Sequence, residues 1–224
     1  MAKKAKVELP IVPFESLHAW EQWLSPNGAT SAGIWMKLAK KDSGIATISR
    51  QESIDGALCH GWIDGQIRKF DDRHWLVRYT PRGAKSIWSE INRTRAEQLI
   101  AAGQMRPAGL NQIERAKADG RWQAAYPPQS TAAVPADLQA ALDANPAARE
   151  FFLKLTGVNR YAILHRIHNT KAAATRAAKI SRFIDMLARS ETLHPTATRP
   201  AIKPSARKAA KSKDTSQAAS KGKK

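Results

Sequence analysis

The chain has 224 residues and a net charge of +18 at pH 7, from 37 Lys and Arg against 19 Asp and Glu. Its single cysteine, Cys59, excludes an internal disulfide framework and favours a reducing compartment. No stretch approaches the roughly 20 apolar residues of a membrane span, and no apolar segment follows the basic start at residues 1–6. We therefore expect a cytoplasmic protein without a secretory signal or a membrane span.

The positive charge is divided between the body of the chain and its C-terminal end. Residues 189–224 carry ten Lys or Arg against two acidic residues, and Ile202 is their last large apolar residue. Such a segment cannot offset the entropy of ordering, so residues 191–224 are predicted to form a disordered Lys/Ala/Ser-rich tail. Basicity of this size favours an anionic ligand or nucleic acid as partner, although a solvated basic surface is the simpler alternative for the body.

The first elements are a short arm over residues 1–13, a helix over 15–24 and a strand over 34–38. In that strand Ile34, Met36 and Leu38 share one face, and Trp35 and Lys37 lie on the other. A capping box of Ser49 and Glu52 predicts a helix that starts at Arg50 and stops at Gly61.

A hairpin follows. Asp64-Gly65 is predicted as a turn into a strand over 66–70, residues 71–73 as the tip, and 74–80 as the antiparallel return strand. In the return strand Trp75, Val77 and Tyr79 share a face. Helical spacing then resumes over 86–102 and over 107–120, where Pro107 suits a first helical position.

Residues 123–133 are a Pro/Ser/Thr/Ala-rich linker, and the rest of the pattern is helical. One helix starts at Pro135 and breaks at Asn145-Pro146, and others cover 147–155, 158–168 and 172–188. The predicted fold is α+β, a small antiparallel sheet packed with helices and followed by an α-helical C-terminal region. We expect an arm at 1–13, a domain at 14–122, a helical region at 134–188 and the tail at 191–224.

Several strings resemble the YdeI/OmpD-associated family, also described as bacteriocin-protection proteins. They are GIWMK (33–37) with Lys40 and Lys41, ALCHGWIDG (57–65), YTPR (79–82), SIWSEIN (86–92), GRW (120–122) and VPADL (134–138). The resemblance spans roughly residues 14–188, with the family's C-terminal part echoed from Val134 onward. It implies a protective role against antimicrobial peptides and an association with a porin, and it brings no catalytic residues.

The candidate ligand-binding residues surround the predicted hairpin and the helix after it. Arg forks, hydroxyls and Trp faces near a helix start would form a cradle for an anion or a nucleotide. The alternative is that the Trp residues pack the core and the basic groups are solvated or paired with acidic ones. The candidates are Lys40, Lys41, Trp62, Asp64, Arg68, Arg82, Ser86, Trp88 and Asn92.

Other reactive residues favour structural roles. Cys59 and His60 are adjacent on a helix and point about 100° apart, so His60 is poorly placed to act as a base for Cys59. His165 and His168 have a metal-compatible spacing but lack a third ligand nearby. No cofactor and no metal site are expected.

The favoured function is therefore a non-enzymatic stress or antimicrobial-peptide-protection protein that binds an anionic partner through its basic surface and tail. One alternative is an enzyme acting on a small anionic or nucleotide-like substrate at the Trp/Arg/Ser cluster. Another is a protein-interaction module built on the helical C-terminal half. A catalytic site needs a concave pocket with convergent groups, whereas a binding protein needs a continuous basic face.

Overall fold

The computed structural model describes residues 8–195, in which four strands and eight helices follow one another. The first eight elements form the α+β part: β1 (Ile11–Pro13), α1 (Leu17–Asn27), β2 (Ile34–Ala39), α2 (Arg50–Cys59), β3 (Trp62–Lys69), β4 (His74–Pro81), α3 (Glu90–Ala101) and α4 (Pro107–Ala118). The other four are helices: α5 (Ala136–Asp143), α6 (Pro146–Lys154), α7 (Gly157–His168) and α8 (Ala173–Ala188). The predicted α+β class is confirmed.

The four strands form one sheet in the order β1-β2-β4-β3. β4 pairs antiparallel with both β2 and β3, so the predicted hairpin is confirmed. The edge strand β1 pairs parallel with β2, which makes the sheet mixed instead of antiparallel. Residues 11–13 are therefore part of the sheet and not of an arm, while residues 1–7 lie outside the described residues.

One face of the sheet packs against helices α1 and α2. The predicted alternation is confirmed, because Ile34, Met36 and Leu38 are all buried in this interface. Trp20 lies at its centre and donates a hydrogen bond from Nε1 to the Ser53 carbonyl over 3.1 Å. Its ring meets that of Trp62 edge-on at 6.0 Å. Aromatic packing of this kind stabilises the contact between sheet and helices.

Strand β3 begins four residues earlier than predicted. Asp64 and Gly65 were expected to form a turn, but they lie within the strand, opposite β4. The register shifts between Asp64 and Ile67, which indicates a β-bulge that accommodates extra residues without ending the pairing. The turn residues of the sequence therefore mark an irregularity inside a strand.

Helix α3 begins four residues later than predicted. The Ser89 side chain accepts a hydrogen bond from the Asn92 N–H and forms the N-cap. The Ser86 side chain instead accepts from the Gly83 N–H over 3.0 Å, which closes the turn after β4. Ser86 and Trp88 consequently precede the helix and do not form its first turn.

The other helix predictions agree with the structure within a few residues at each end. Ser49 and Glu52 form the expected capping box at the start of α2, and Pro107 occupies the first turn of α4. In the C-terminal half, Asn145 caps α6 after the predicted break.

The last described residues are attached to helix α7. The buried Asn159 side chain donates to the His194 carbonyl over 3.1 Å and accepts from the His194 N–H over 2.9 Å. Leu193 packs against the apolar cluster of the C-terminal helices. The remainder of the predicted tail, residues 196–224, lies outside the described residues.

Residues 122–130 connect the two halves and contact both. Tyr126 forms a bridge with Ser89 on one side, and its ring lies edge-on to that of His165 at 4.6 Å on the other. The Tyr161 hydroxyl donates to the Pro127 carbonyl over 2.9 Å. The C-terminal helices are thus fixed to the segment that follows α4.

Candidate functional site

The structure separates the sequence-predicted residues from one another. Arg68 is exposed on the sheet face opposite α1 and α2. Trp62 and Trp88 are buried in two different apolar clusters. The structure does not bring these side chains to one cavity.

Trp62 and Asp64 serve structural contacts. The Trp62 indole donates to the Gly28 carbonyl over 3.0 Å. The Asp64 carboxylate pairs with Arg50 over 2.6 Å, and both side chains are about one-quarter exposed. Arg50 also donates to the Tyr79 hydroxyl over 2.7 Å. Asp64 therefore anchors α2 to strands β3 and β4.

Arg82 and Trp88 form a buried stack. The Arg82 guanidinium lies 3.6 Å from the Trp88 ring centre, and the residue is only 5% exposed. Burial lowers the pKa of Arg82 to about 10. Among the described residues, no hydrogen-bond partner reaches Nε or Nη2 of Arg82 or Nε1 of Trp88.

The remaining predicted residues are spread over the surface near the chain turns. Lys40 donates to the Asp72 carbonyl over 2.9 Å, and Lys41 is exposed. The Ser86 carbonyl accepts from Arg121 over 2.8 Å. The Asn92 backbone completes the cap of α3. These contacts stabilise turns and helix ends.

A basic and apolar surface lies on the sheet face that α1 and α2 leave uncovered. The pairing registers place Ile11, Trp35 and Arg78 side by side across β1, β2 and β4. Two residues along β2, the registers align Lys37 with Leu76 of β4 and Arg68 of β3. We call the surface formed by Ile11, Trp35, Lys37, Arg68 and Arg78 the open sheet face.

The cations of the open sheet face lie against aromatic rings. The Arg68 guanidinium is 4.0 Å from the Trp35 ring centre, and Lys37 Nζ is 5.3 Å from that of Phe70. Both distances are within the range of cation–π attraction. Within residues 8–195, no carboxylate lies within 4.0 Å of Lys37, Arg68 or Arg78. Three charges therefore face solvent without an ion-pair partner there.

A groove of about 620 Å³ crosses this face. Apolar and cationic side chains share its lining, and Glu8 is the acidic residue on its rim; the lining residues are Glu8, Leu9, Ile11, Trp35, Gln66, Ile67, Arg68 and Arg78. Ile11 is 42% exposed and Phe70, beside Lys37, 45%. Exposed apolar area beside free cations suits a ligand that has both an anionic and an apolar or aromatic part.

Sequence reasoning named Arg68 but did not place Trp35 or Ile11 in a site. The signal for Trp35 was present, since the alternation of β2 puts it on the face opposite the buried residues. The signal for Ile11 was absent, because β1 has only three residues and gains its place by pairing with β2.

The described residues contain no group of three or more His, Cys, Asp or Glu side chains able to hold a metal ion. Over residues 8–195, none of the helices combines the length and apolar character that crossing a membrane requires. Cys59 is buried at 2% exposure, and burial raises the pKa of its thiol to about 11. This thiol is therefore protonated at neutral pH, as a structural cysteine would be.

Two family models match separate parts of the chain. Residues 131–190 match a family described as bacteriocin-protection, YdeI or OmpD-associated, which confirms the resemblance for the C-terminal helices. Residues 12–112, which hold the open sheet face except Ile11 and most of the strings quoted above, match a domain of unknown function, DUF8412. Neither the curated proteins nor the solved structures include a match to the chain.

Proposed function

We propose that this chain is a non-enzymatic cytoplasmic binding protein. The premise is that residues 131–190 belong to the bacteriocin-protection, YdeI or OmpD-associated family. The open sheet face takes an anionic partner, and the protective role is of the type that the family description names. The buried free cysteine is consistent with a reducing compartment.

The observation that carries this proposal is the set of unpaired cations on the open sheet face. Arg68 and Arg78 are exposed, and the strand registers align Lys37 of β2 with Arg68 of β3 through Leu76 of β4. Fixed positive charges on rigid strands attract anions without any rearrangement of the backbone. Residues 196–224 contribute nine further Lys and Arg to the charge of the chain.

The competing enzyme hypothesis needs convergent groups at the Trp/Arg/Ser cluster, and the local geometry does not favour it. Ser86 Oγ is engaged by the Gly83 N–H, and within residues 8–195 neither a His nor a carboxylate is hydrogen-bonded to it. Arg82 and Trp88 are only 5% and 2% exposed. A substrate would lack access to the stacked Arg82.

A titration with inorganic polyphosphate, followed by NMR, tests the proposal. The indole N–H signals of the Trp residues show where the polyphosphate binds, and the signal that is missing in Trp35→Phe is that of Trp35. We expect the Trp35 signal to move with polyphosphate while those of the buried Trp20 and Trp62 stay in place. Binding that leaves the Trp35 signal unchanged would assign the interaction to another part of the chain, and the absence of binding would reject the proposal.

A further inference from the structure

The open sheet face combines a stacking platform with free cations at fixed spacing. The Arg68 guanidinium covers the Trp35 ring at 4.0 Å. Arg78 is directly opposite Trp35 in the β2–β4 register, and Lys37 follows two residues along β2. Two residues of a strand span about 7 Å. The platform therefore has a cation beside it and another about 7 Å away.

Phe70 provides a second ring next to this platform. It is 45% exposed and lies 5.3 Å from Lys37 Nζ. The face therefore holds two pairs of a cation and a ring, Arg68 with Trp35 and Lys37 with Phe70. A purely inorganic anion would use the cations and leave the rings exposed to water.

A nucleic acid complements both features of this face, because its bases can stack on the rings and its phosphates can pair with the cations. Bases stack on aromatic side chains and on guanidinium planes, while the phosphates between them pair with Lys and Arg. A duplex hides the faces of its bases, so it would reach only the cations of this surface. We infer that the open sheet face binds single-stranded nucleic acid, with a base stacked on the Arg68–Trp35 pair and a phosphate at Arg78.

This inference rests on the proposed function and narrows its anionic partner to one class. Charge complementarity supports that occupant, because within residues 8–195 none of the three cations of the face has a carboxylate within 4.0 Å, and Glu8 is the one acidic residue that lines their groove. The face offers no helix that could enter a groove and read base edges. Recognition there is consequently independent of base sequence, as stacking accepts every base.

The experiment titrates the full-length chain with an oligothymidylate of about 20 nucleotides, a length that covers one to a few sheet-sized sites. Inorganic polyphosphate serves as the probe without bases. A DNA duplex of the same length serves as the probe whose bases are paired. Tryptophan fluorescence reports stacking at Trp35, and fluorescence anisotropy of labelled probes reports affinity.

Two substitutions separate stacking from charge. Trp35→Leu removes the ring behind Arg68 and is expected to weaken oligothymidylate binding about tenfold more than it weakens polyphosphate binding. Trp35→Phe keeps a ring, so binding persists while the fluorescence quenching that belongs to Trp35 is lost. The basic C-terminal segment is present in every variant and contributes equally to each.

The outcomes distinguish the inference from the proposed function. Equal binding of polyphosphate, duplex and oligothymidylate at the face, with no effect of Trp35→Leu on any of them, would overturn the inference and leave the proposed function standing. The absence of binding by every probe would overturn both. Selective weakening of oligothymidylate binding by Trp35→Leu, with the quenching removed in Trp35→Phe, would establish a single-strand site.

Discussion

The Arg82 guanidinium lies 3.6 Å from the centre of the Trp88 ring, and both side chains are buried. One of its nitrogens, Nη1, donates to the Ile87 carbonyl over 3.3 Å, whereas Nε and Nη2 find no acceptor among the described residues. A buried charge without a paired carboxylate costs free energy, and the lowered pKa of Arg82 reflects the same cost.

Arg82→Met should therefore leave the free energy of unfolding unchanged or raise it by about 1 kcal/mol, since it keeps the packing on Trp88 and removes the unpaired charge. Arg50→Met is the matched control, because Arg50 pairs with Asp64 and Tyr79. It should lower the free energy by about 2 kcal/mol. Urea unfolding measures both, and a larger loss for Arg82→Met than for Arg50→Met would refute this ranking.

The raised pKa of Tyr79 makes the free energy of unfolding depend on pH in the alkaline range. Its hydroxyl contacts Arg50 and Ser53, each at 2.7 Å, and burial raises its pKa from 10 to about 12. The folded state therefore keeps the proton where the unfolded state has lost it. The resulting stabilisation is complete below pH 10 and is lost as the pH rises toward 12.

Tyr79→Phe removes this titration. The difference in unfolding free energy between the natural protein and Tyr79→Phe should therefore shrink between pH 9 and pH 11. Urea unfolding of the pair at both pH values measures it, and the comparison cancels the titration of Lys residues that the two proteins share. A difference that stays constant or grows would show that Tyr79 titrates normally.

Gly109 allows helix α4 to approach the end of α2. A Cβ at this position would meet the Cys59 carbonyl and would lie 2.7 Å from the Leu58 carbonyl, both of them backbone atoms. Gly109→Ala should lower the free energy of unfolding by about 1–3 kcal/mol, against the usual gain of Ala in a helix.

Gly157→Ala is the control for helix propensity. Gly157 opens α7, and the nearest atom to its added Cβ is the amide nitrogen of the flexible Gln129 side chain. We expect a neutral or slightly stabilising effect there. Thermal unfolding compares the two variants, and equal shifts would contradict the close approach at Gly109.

The hydrogen bonds of Asn159 determine how far the C-terminal end can be truncated without loss of stability. Both of its hydrogen bonds to His194 survive truncation after Pro195 and are lost on truncation after Ser190. Because Asn159 is buried, the shorter protein should be less stable than the longer one by about 1–3 kcal/mol. Urea unfolding of the two truncated proteins checks this, and equal stability would show that the contact contributes nothing.

Most elements of the fold could be predicted from local signals. The capping box at Ser49, the first-turn Pro107 and the break at Asn145 each act within one helical turn, and each ended or began a helix as expected. The alternation around Met36 also assigned both faces of β2 correctly.

The structure differs from the predictions where a segment distant in sequence determines the local conformation. Strand β1 exists because Pro10 accepts from Trp35 and the two segments pair in parallel, which three residues alone cannot specify. Asp64-Gly65 has turn chemistry, yet β4 holds it within a strand through the bulge. The competition between Ser86 and Ser89 for the cap of α3 depends on the turn at Gly83.

Only part of the candidate site could be predicted from the sequence, because the rest depends on pairing between distant segments. Trp35 and Lys37 follow from the period of β2, and Arg68 was already a candidate. The neighbourhood of Arg68 and Trp35 depends on the register across β2, β4 and the bulged β3, and the bulge changes which face each later residue of β3 occupies.

The central claim is that the open sheet face binds an anionic partner, and the loss of its two exposed arginines tests it most directly. The affinity of full-length Arg68→Gln/Arg78→Gln for inorganic polyphosphate is compared by calorimetry with that of Arg115→Gln/Arg182→Gln. Both control arginines are also exposed and, within residues 8–195, have no ion pair. We predict that the first variant binds about tenfold more weakly and the control nearly as well as the natural protein. Equal affinities for the two double variants would contradict the claim.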